Sequence, residues 1–474
     1  MTFFILLFGI YLYYLEVDIL LERIFKLQSH GTDTRTEFIA GLTTFMTMAY
    51  ILAVNPAILG ASGMDSGAIF TATAVASAVA SCFMACLANL PFALSAGLGL
   101  NAFFAYTVCG VMGYSWQQAL TAVFVEGLIF IVLSLSNIRE AIFNAIPNTL
   151  KVAVSVGIGL FICFIGLQSS HIVVDSPATL VSIFSLKQAV ATGTIHSAGV
   201  YVVLAFLGVL LMSWLMYKNV RGGILIGMLL LWGLGILLEL CGIYVPAPEN
   251  GYFSMIPGAI ISMPASLAPT AFKLDFSFVQ TMDFVVVMCA FLFVDLFDTL
   301  GTLIGCATKG KMLDEKGELP GIKGALMSDS LGTVLGSLLG TSTITTFVES
   351  SAGIAEGGRT GLTAVVTAGL FLLALFFSPV FLSIPSFATA AALITVGFLM
   401  LQQVTNINWN DNLLEAVPAY ICVFSMPFMY SISEGISLGV ISYVVLHMAA
   451  GKFDKLSPLM YVLAVLFLLK YIVL

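Results

Sequence analysis

Apolar runs of about 17–25 residues recur along almost the whole of this 474-residue chain. A helix rising 1.5 Å per residue needs about 20 apolar residues to cross the hydrocarbon core of a bilayer. Segmenting on that length gives spans near 38–58, 68–89, 92–111, 116–135, 150–168, 198–217, 222–243, 282–306, 324–340, 341–357, 360–380, 386–404, 412–429 and 431–450. Only 9% of the residues are charged, against about 25% in soluble domains. The chain reads as an all-α polytopic membrane protein of fourteen spans.

The basic residues give this count a direction. With a cytoplasmic N-terminus, fourteen of the 17 Lys and Arg residues fall in inside loops or flanks, among them Lys218, Arg221 and Arg359. Lys187 and Lys273 fall outside, and Lys470 lies in the C-terminal tail. That bias fits the positive-inside rule for an even number of spans, with both termini cytoplasmic in a plasma or inner membrane. The net charge of −8 and the scatter of basic residues leave no nucleic-acid surface.

Eight cysteines without paired or Cys/His spacing read as small buried hydrophobes, and four scattered histidines form no metal cluster. Met1 to Leu15 is apolar but lacks a basic start and a cleavage site, so it reads as an interfacial piece or an overextended start rather than a signal peptide. Leu21 to Leu27 looks more like a natural amphipathic beginning.

Five units follow: 1–37, a first seven-span half at 38–243, an outer linker at 244–280 with five prolines, a second half at 281–450, and a tail at 451–474. Two odd-numbered halves must enter the membrane in opposite senses, which suggests an inverted repeat. Their third spans share a flaw. Gly97 and Gly99 interrupt 92–111, and the β-branched run Thr341 to Thr346 interrupts 341–357. Each should be a short extended piece followed by a half-helix, starting near Asn101 and Glu349. Unwound backbone at that depth is tolerated only where it is buried in protein or lines a cavity. The spacings 50 to 101 and 295 to 349 set Tyr50 opposite Asp295, and Asn101 opposite Glu349, as pseudo-symmetric partners.

Carboxylates inside such spans are functional candidates because lipid makes them expensive. Asp295, Asp298, Thr299 and Thr302 form one polar stripe on the eighth span, where Gly301 and Gly305 would admit another backbone closely. Glu349 sits where a half-helix dipole favours negative charge, and Asn101 offers a donor and an acceptor. No Lys or Arg shares these segments. Acceptors without fixed positive charge suit a cation or a neutral planar molecule rich in N–H donors, with Phe103, Phe104 and Phe347 placed to stack on a ring. Paired acids held away from water can load and release a proton; the residues leave proton and sodium coupling both open. No cofactor, catalytic set or resident metal is indicated. An intramembrane aspartyl protease would need facing aspartates on separate helices, which Asp295 and Asp298 are not.

Four stretches in order resemble the xanthine/uracil permease family, closest to its adenine/guanine/hypoxanthine branch. They are Thr43 to Pro56 (TTFMTMAYILAVNP), Ala96 to Tyr106 (AGLGLNAFFAY), Phe293 to Thr302 (FVDLFDTLGT), and Thr341 to Gly353 (TSTITTFVESSAG) with Gly357 to Thr363 (GGRTGLT). The resemblance implies a proton-coupled purine importer of two inverted seven-span repeats. Spans 1–4 and 8–11 would form a core domain and the others a gate domain, with a dimer through the gates and short strands in spans three and ten. It implies base-binding acids at Asp295 and Glu349, a supporting acid at Asp298 and a polar partner at Asn101. A similarly folded anion transporter is the alternative, and Glu349 argues against it.

Overall fold

The computed structural model describes residues 18–136, 146–177, 179–247, 252–314, 319–410 and 412–473. The readings made for Met1 to Leu15 and for basic residues such as Arg139 and Lys316 lie outside them. After a helical stretch at residues 18–25, the first half comprises α1 (Thr34–Met48), α2 (Ile51–Gly60), α3 (Ser66–Ala88), β1 (Leu94–Ala96), α4 (Leu98–Ala102), α5 (Trp116–Leu135), α6 (Asn148–Ser169), β2 (Val173–Ser176), β3 (Leu180–Ile183), α7 (Leu186–Thr192), α8 (Val200–Tyr217) and α9 (Gly223–Leu240). The second comprises α10 (Met282–Lys309), α11 (Ile322–Leu339), β4 (Ile344–Thr346), α12 (Ser350–Ala355), α13 (Gly361–Ala374), α14 (Ser378–Leu382), α15 (Ser386–Leu401), α16 (Leu413–Phe428), α17 (Ile432–Ala449) and α18 (Pro458–Val473).

Among the described residues, ten helical segments are long and apolar enough to cross a membrane. The four other expected spans fall short for separate reasons. Those at 92–111 and 341–357 are broken, α16 is short, and α11 carries Ser328, Asp329, Ser330, Thr333 and Ser337 in its buried surface. The helices sort into two packing groups. In one, α3 packs on α11 and α13, α5 on α11, and α13 on α1; in the other, α6 packs on α15 and α16, α8 on α9 and α15, and α16 on α17.

The expected tail is instead a helix. After the turn at residues 450–457, α18 doubles back along α17, burying Leu456, Met460, Leu463 and Ala464. Tyr471 donates its hydroxyl to Glu434 in the first turn of α17. An apolar sixteen-residue segment cannot stay in water as a solvated tail, and this docking removes its face from solvent. The last described residues therefore lie at the opposite end of the bundle from the turn that opens the segment.

Residues 252–280 of the outer linker form a strap tied to helix ends. The Ser262 amide donates to the Phe376 carbonyl at 3.0 Å, and the Thr71 hydroxyl on α3 donates to the Ala265 carbonyl at 3.0 Å. The Phe272 amide then donates to the Leu338 carbonyl at 2.7 Å, and the Asp275 amide to the Thr121 hydroxyl at 2.9 Å.

The loop of the GGRTGLT stretch is organised by one buried carboxylate, Glu37 on α1. It accepts the amides of Arg359 at 2.7 Å, Thr360 at 3.1 Å and Thr363 at 3.0 Å, and the Thr363 hydroxyl at 2.5 Å. These donors belong to the start of α13, where backbone N–H groups otherwise lack partners. Replacing Glu37 by Ala should orphan the Arg359 and Thr360 amides, the Thr363 amide keeping the Thr360 carbonyl at 3.2 Å, and lower stability by about 3 kcal/mol. Glu37→Gln should cost less, and thermal unfolding of the purified protein in detergent orders the two variants.

Candidate functional site at the crossing of two broken spans

The two interrupted spans meet as a pair of antiparallel strands, with Leu94 opposite Thr346, Ser95 opposite Thr345 and Ala96 opposite Ile344. The β-branched composition of residues 341–346 favours this extended form. Neighbouring side chains complete the backbone. Ser81 accepts the Leu94 amide at 3.0 Å, Thr333 donates to the Ile344 carbonyl at 3.0 Å, and Ser350 accepts the Ala93 amide at 3.0 Å. At the ladder's ends, Gly97 donates to the Thr343 carbonyl and Phe347 to the Ala93 carbonyl, both at 3.0 Å. Helices α4 and α12 leave this ladder from opposite ends, α4 after Ala96 and α12 after Thr346, with the three residue pairs between them.

Helix α10 passes beside the crossing. Asp298 accepts the Thr345 hydroxyl at 3.2 Å and lies 3.6 Å from where a Gly97 Cβ would stand, so it touches both broken spans. Glu349 precedes α12 and accepts the Tyr50 hydroxyl at 2.6 Å. Asp298 and Glu349 are only partly buried. Asp295, one turn earlier, is fully buried. The Thr299 hydroxyl lies 3.0 Å from one Asp295 oxygen and 2.7 Å from an oxygen of Asp329 on α11. A hydroxyl has one hydrogen, so it serves one of these acceptors at a time.

The other expected residues have different surroundings. Tyr50 is joined directly to Glu349 rather than standing only as a counterpart to Asp295. Asn101 is fully buried, and its side-chain oxygen accepts the Ser342 hydroxyl, tying one broken span to the other. Phe347 is buried beside the ladder. Phe103 and Phe104 pack on Phe291, with ring centroids 4.9 and 6.4 Å away. The close approach expected at Gly301 and Gly305 is absent: an added Cβ at either would meet nothing within 4 Å. The close approaches are at Gly97, where a Cβ would stand 2.4 Å from Thr345 Cγ2, and at Gly353, 2.6 Å from the Ala40 carbonyl.

Sequence reasoning passed over Asp329, Glu126, Glu37 and Thr345. Glu126 on α5 is fully buried and accepts the Thr343 hydroxyl at 3.0 Å. The cost of a carboxylate in lipid, the rule that selected Asp295, would have selected the three acids too. Thr345 carries no comparable signal, because its role depends on strand register. Among the described residues, no Lys or Arg is buried, so this acidic centre has no internal cation.

Gly97→Ala should force Thr345 away from the ladder and cost about 1–3 kcal/mol, whereas Gly301→Ala should be tolerated. Thermal unfolding of the two purified variants makes the comparison.

The xanthine/uracil permease family model, described as the Permease family, matches residues 35–438. The chain is 47% identical to a Methanocaldococcus jannaschii protein named as a permease, over 95% of this chain and 98% of that one. It is 44% identical to the guanine/hypoxanthine permease PbuG of Bacillus subtilis (95% and 99% covered) and 42% identical to the adenine permease AdeP of Escherichia coli (96% of each). Among solved structures, the transmembrane domain of the cyanobacterial bicarbonate transporter BicA superposes with a TM-score of 0.60 at 17% identity, covering 88% of this chain and 97% of that one. The murine anion transporter Slc26a9 in its inward-facing state gives 0.63 at 12% identity, covering 88% and 68%. At such identities these two speak for the fold alone.

Proposed function

The chain belongs to the xanthine/uracil permease family, a family of membrane transporters rather than enzymes, and from that premise we propose that it imports purine nucleobases together with protons. The observation that carries the substrate class is the pair of partly exposed carboxylates, Asp298 and Glu349, at a crossing with no buried Lys or Arg among the described residues. A carboxylate accepts two adjacent N–H bonds side by side, and purines present such edges. The relatives named for adenine, guanine and hypoxanthine transport support the same class.

Exposure changes the emphasis within the site. We assign recognition to Glu349, oriented by Tyr50, and to Asp298, oriented by Thr345. Asp295, expected from sequence to hold the base, becomes the deeper partner: Asp295, Thr299 and Asp329 form a set able to keep one proton between two acids. Asn101 holds the two broken spans together beneath the site. The anion alternative, suggested by the folds of BicA and Slc26a9, is disfavoured because Glu349 already occupies the helix start where an anion would sit.

For the transport cycle, the first packing group serves as the core and the second as the gate. Supporting this, Gly99 on α4 lies at their seam, where an added Cβ would stand 2.8 Å from Ile158 on α6 and 3.5 Å from Ile432 on α17. The two-repeat reading draws support from matched packing between the halves: α3 of the first on α13 of the second answers α11 of the second on α5 of the first, around the antiparallel ladder.

Uptake of radiolabelled hypoxanthine, guanine and adenine by cells lacking their own purine carriers tests this. Glu349→Gln and Asp298→Asn, present in the membrane at normal levels, should each lose about tenfold or more, the scale of one hydrogen bond to a charged group. Asp295→Asn should abolish the sensitivity of uptake to a proton uncoupler. Normal, uncoupler-sensitive uptake by all three variants would contradict the assignment.

A further inference from the structure

Helix α12 carries a carboxylate at each end. Glu349 precedes it and meets Tyr50; Glu356 follows it and pairs with Arg221 at 2.7 Å. Arg221 belongs to the other packing group, in the turn between α8 and α9. That turn touches the first group a second time. Gly222, at φ +66°, lies so near Met46 on α1 that an added Cβ would stand 2.9 Å from the Met46 carbonyl oxygen. Met46 is followed by Thr47, whose hydroxyl lies 3.5 Å from the Glu349 carbonyl, and then by Tyr50. The turn therefore closes over the end of α12 remote from the proposed purine position, the end that the Lys/Arg bias assigns to the cytoplasm.

Helix α12 cannot follow Arg221 if the groups move apart. Gly353 is pressed against Ala40 and Thr44 of α1, and the Arg359 guanidinium donates to the Ile354 and Gly358 carbonyls, both at 2.7 Å. The amide of that same Arg359 is held by Glu37. Relative motion of the two groups must then break the Arg221–Glu356 pair rather than bend the helix. The pair is 60% and 22% exposed, and ion pairs open to water are weak enough to break in every cycle.

We propose that Arg221 and Glu356 form an inner latch, closed while the purine site is reached from the far side and broken when the site opens towards the cytoplasm. This rests on the transport reading above. A latch of this kind sets the fraction of carriers ready to bind external purine, and apparent affinity falls with that fraction.

Two readouts decide it, on the full-length protein as wild type, R221E, and the exchanged pair R221E/E356R. The first is amide hydrogen exchange at residues 46–50 and 218–223 in lipid nanodiscs; the second is the KM for hypoxanthine uptake. R221E should speed exchange at both segments and raise KM about three- to tenfold, and the exchanged pair should bring both back to within about twofold of wild type. Unchanged exchange in R221E, or an exchanged pair no better than R221E, would overturn the latch. Should the wild type take up no purine, the transport reading fails, while the exchange data still decide whether the latch exists.

Discussion

Where a helix is interrupted at bilayer depth, its backbone N–H and C=O groups have no water to turn to. Here two interrupted spans satisfy one another through the ladder of β1 and β4, and helices α3, α11 and α12 supply Ser81, Thr333 and Ser350 to finish the account. Everything at the centre follows from that pairing. It sets Thr345 against Asp298, draws Asn101 to Ser342, sends α4 and α12 off from its two ends, and requires glycine at 97 where the backbone passes Thr345.

The carboxylates among the packed helices divide into two kinds by what surrounds them. Glu37 faces three backbone amides and one hydroxyl, that of Thr363, at the start of α13, and its chemistry is spent on holding a loop. Those near the ladder face hydroxyls: Tyr50 for Glu349, Thr345 for Asp298, Thr299 for Asp295 and Asp329, and Thr343 for Glu126. A hydroxyl can donate to a charged acid and accept from a protonated one, so these acids can change state without losing a partner. Three backbone amides, which can only donate, lack that freedom. This contrast separates the acids suited to binding and proton transfer from the one suited to architecture.

Much of this was legible in the sequence. Span-length apolar runs, the glycines at 97 and 99, and the threonine run at 341–346 located the membrane helices and both interruptions, because each reflects a local backbone preference. Glu349 and the two aspartates stood out for the cost of charge in lipid. What stayed hidden depends on register and on packing between distant segments. No spacing rule reveals that Thr345 faces Asp298, or that Asn101 is consumed by Ser342. Asp295 and Asp298 are three residues apart on one helix, yet the offset of about 60° around its axis leaves Asp298 partly exposed and Asp295 enclosed by Thr299 and Asp329. The helix at 458–473 is invisible to a segmentation that ends at fourteen spans, because its apolar face acquires meaning only from its partner, α17.

The central claim is that carboxylate oxygens at the ladder accept the N–H edges of a purine. Equilibrium binding to the purified protein, with labelled hypoxanthine displaced by purines of graded N-methylation, measures this without invoking transport. Displacement should weaken with each donor N–H replaced by a methyl group, and a fully N-methylated xanthine should fail to compete. Equal displacement by the fully methylated and the unmethylated compounds would contradict the account.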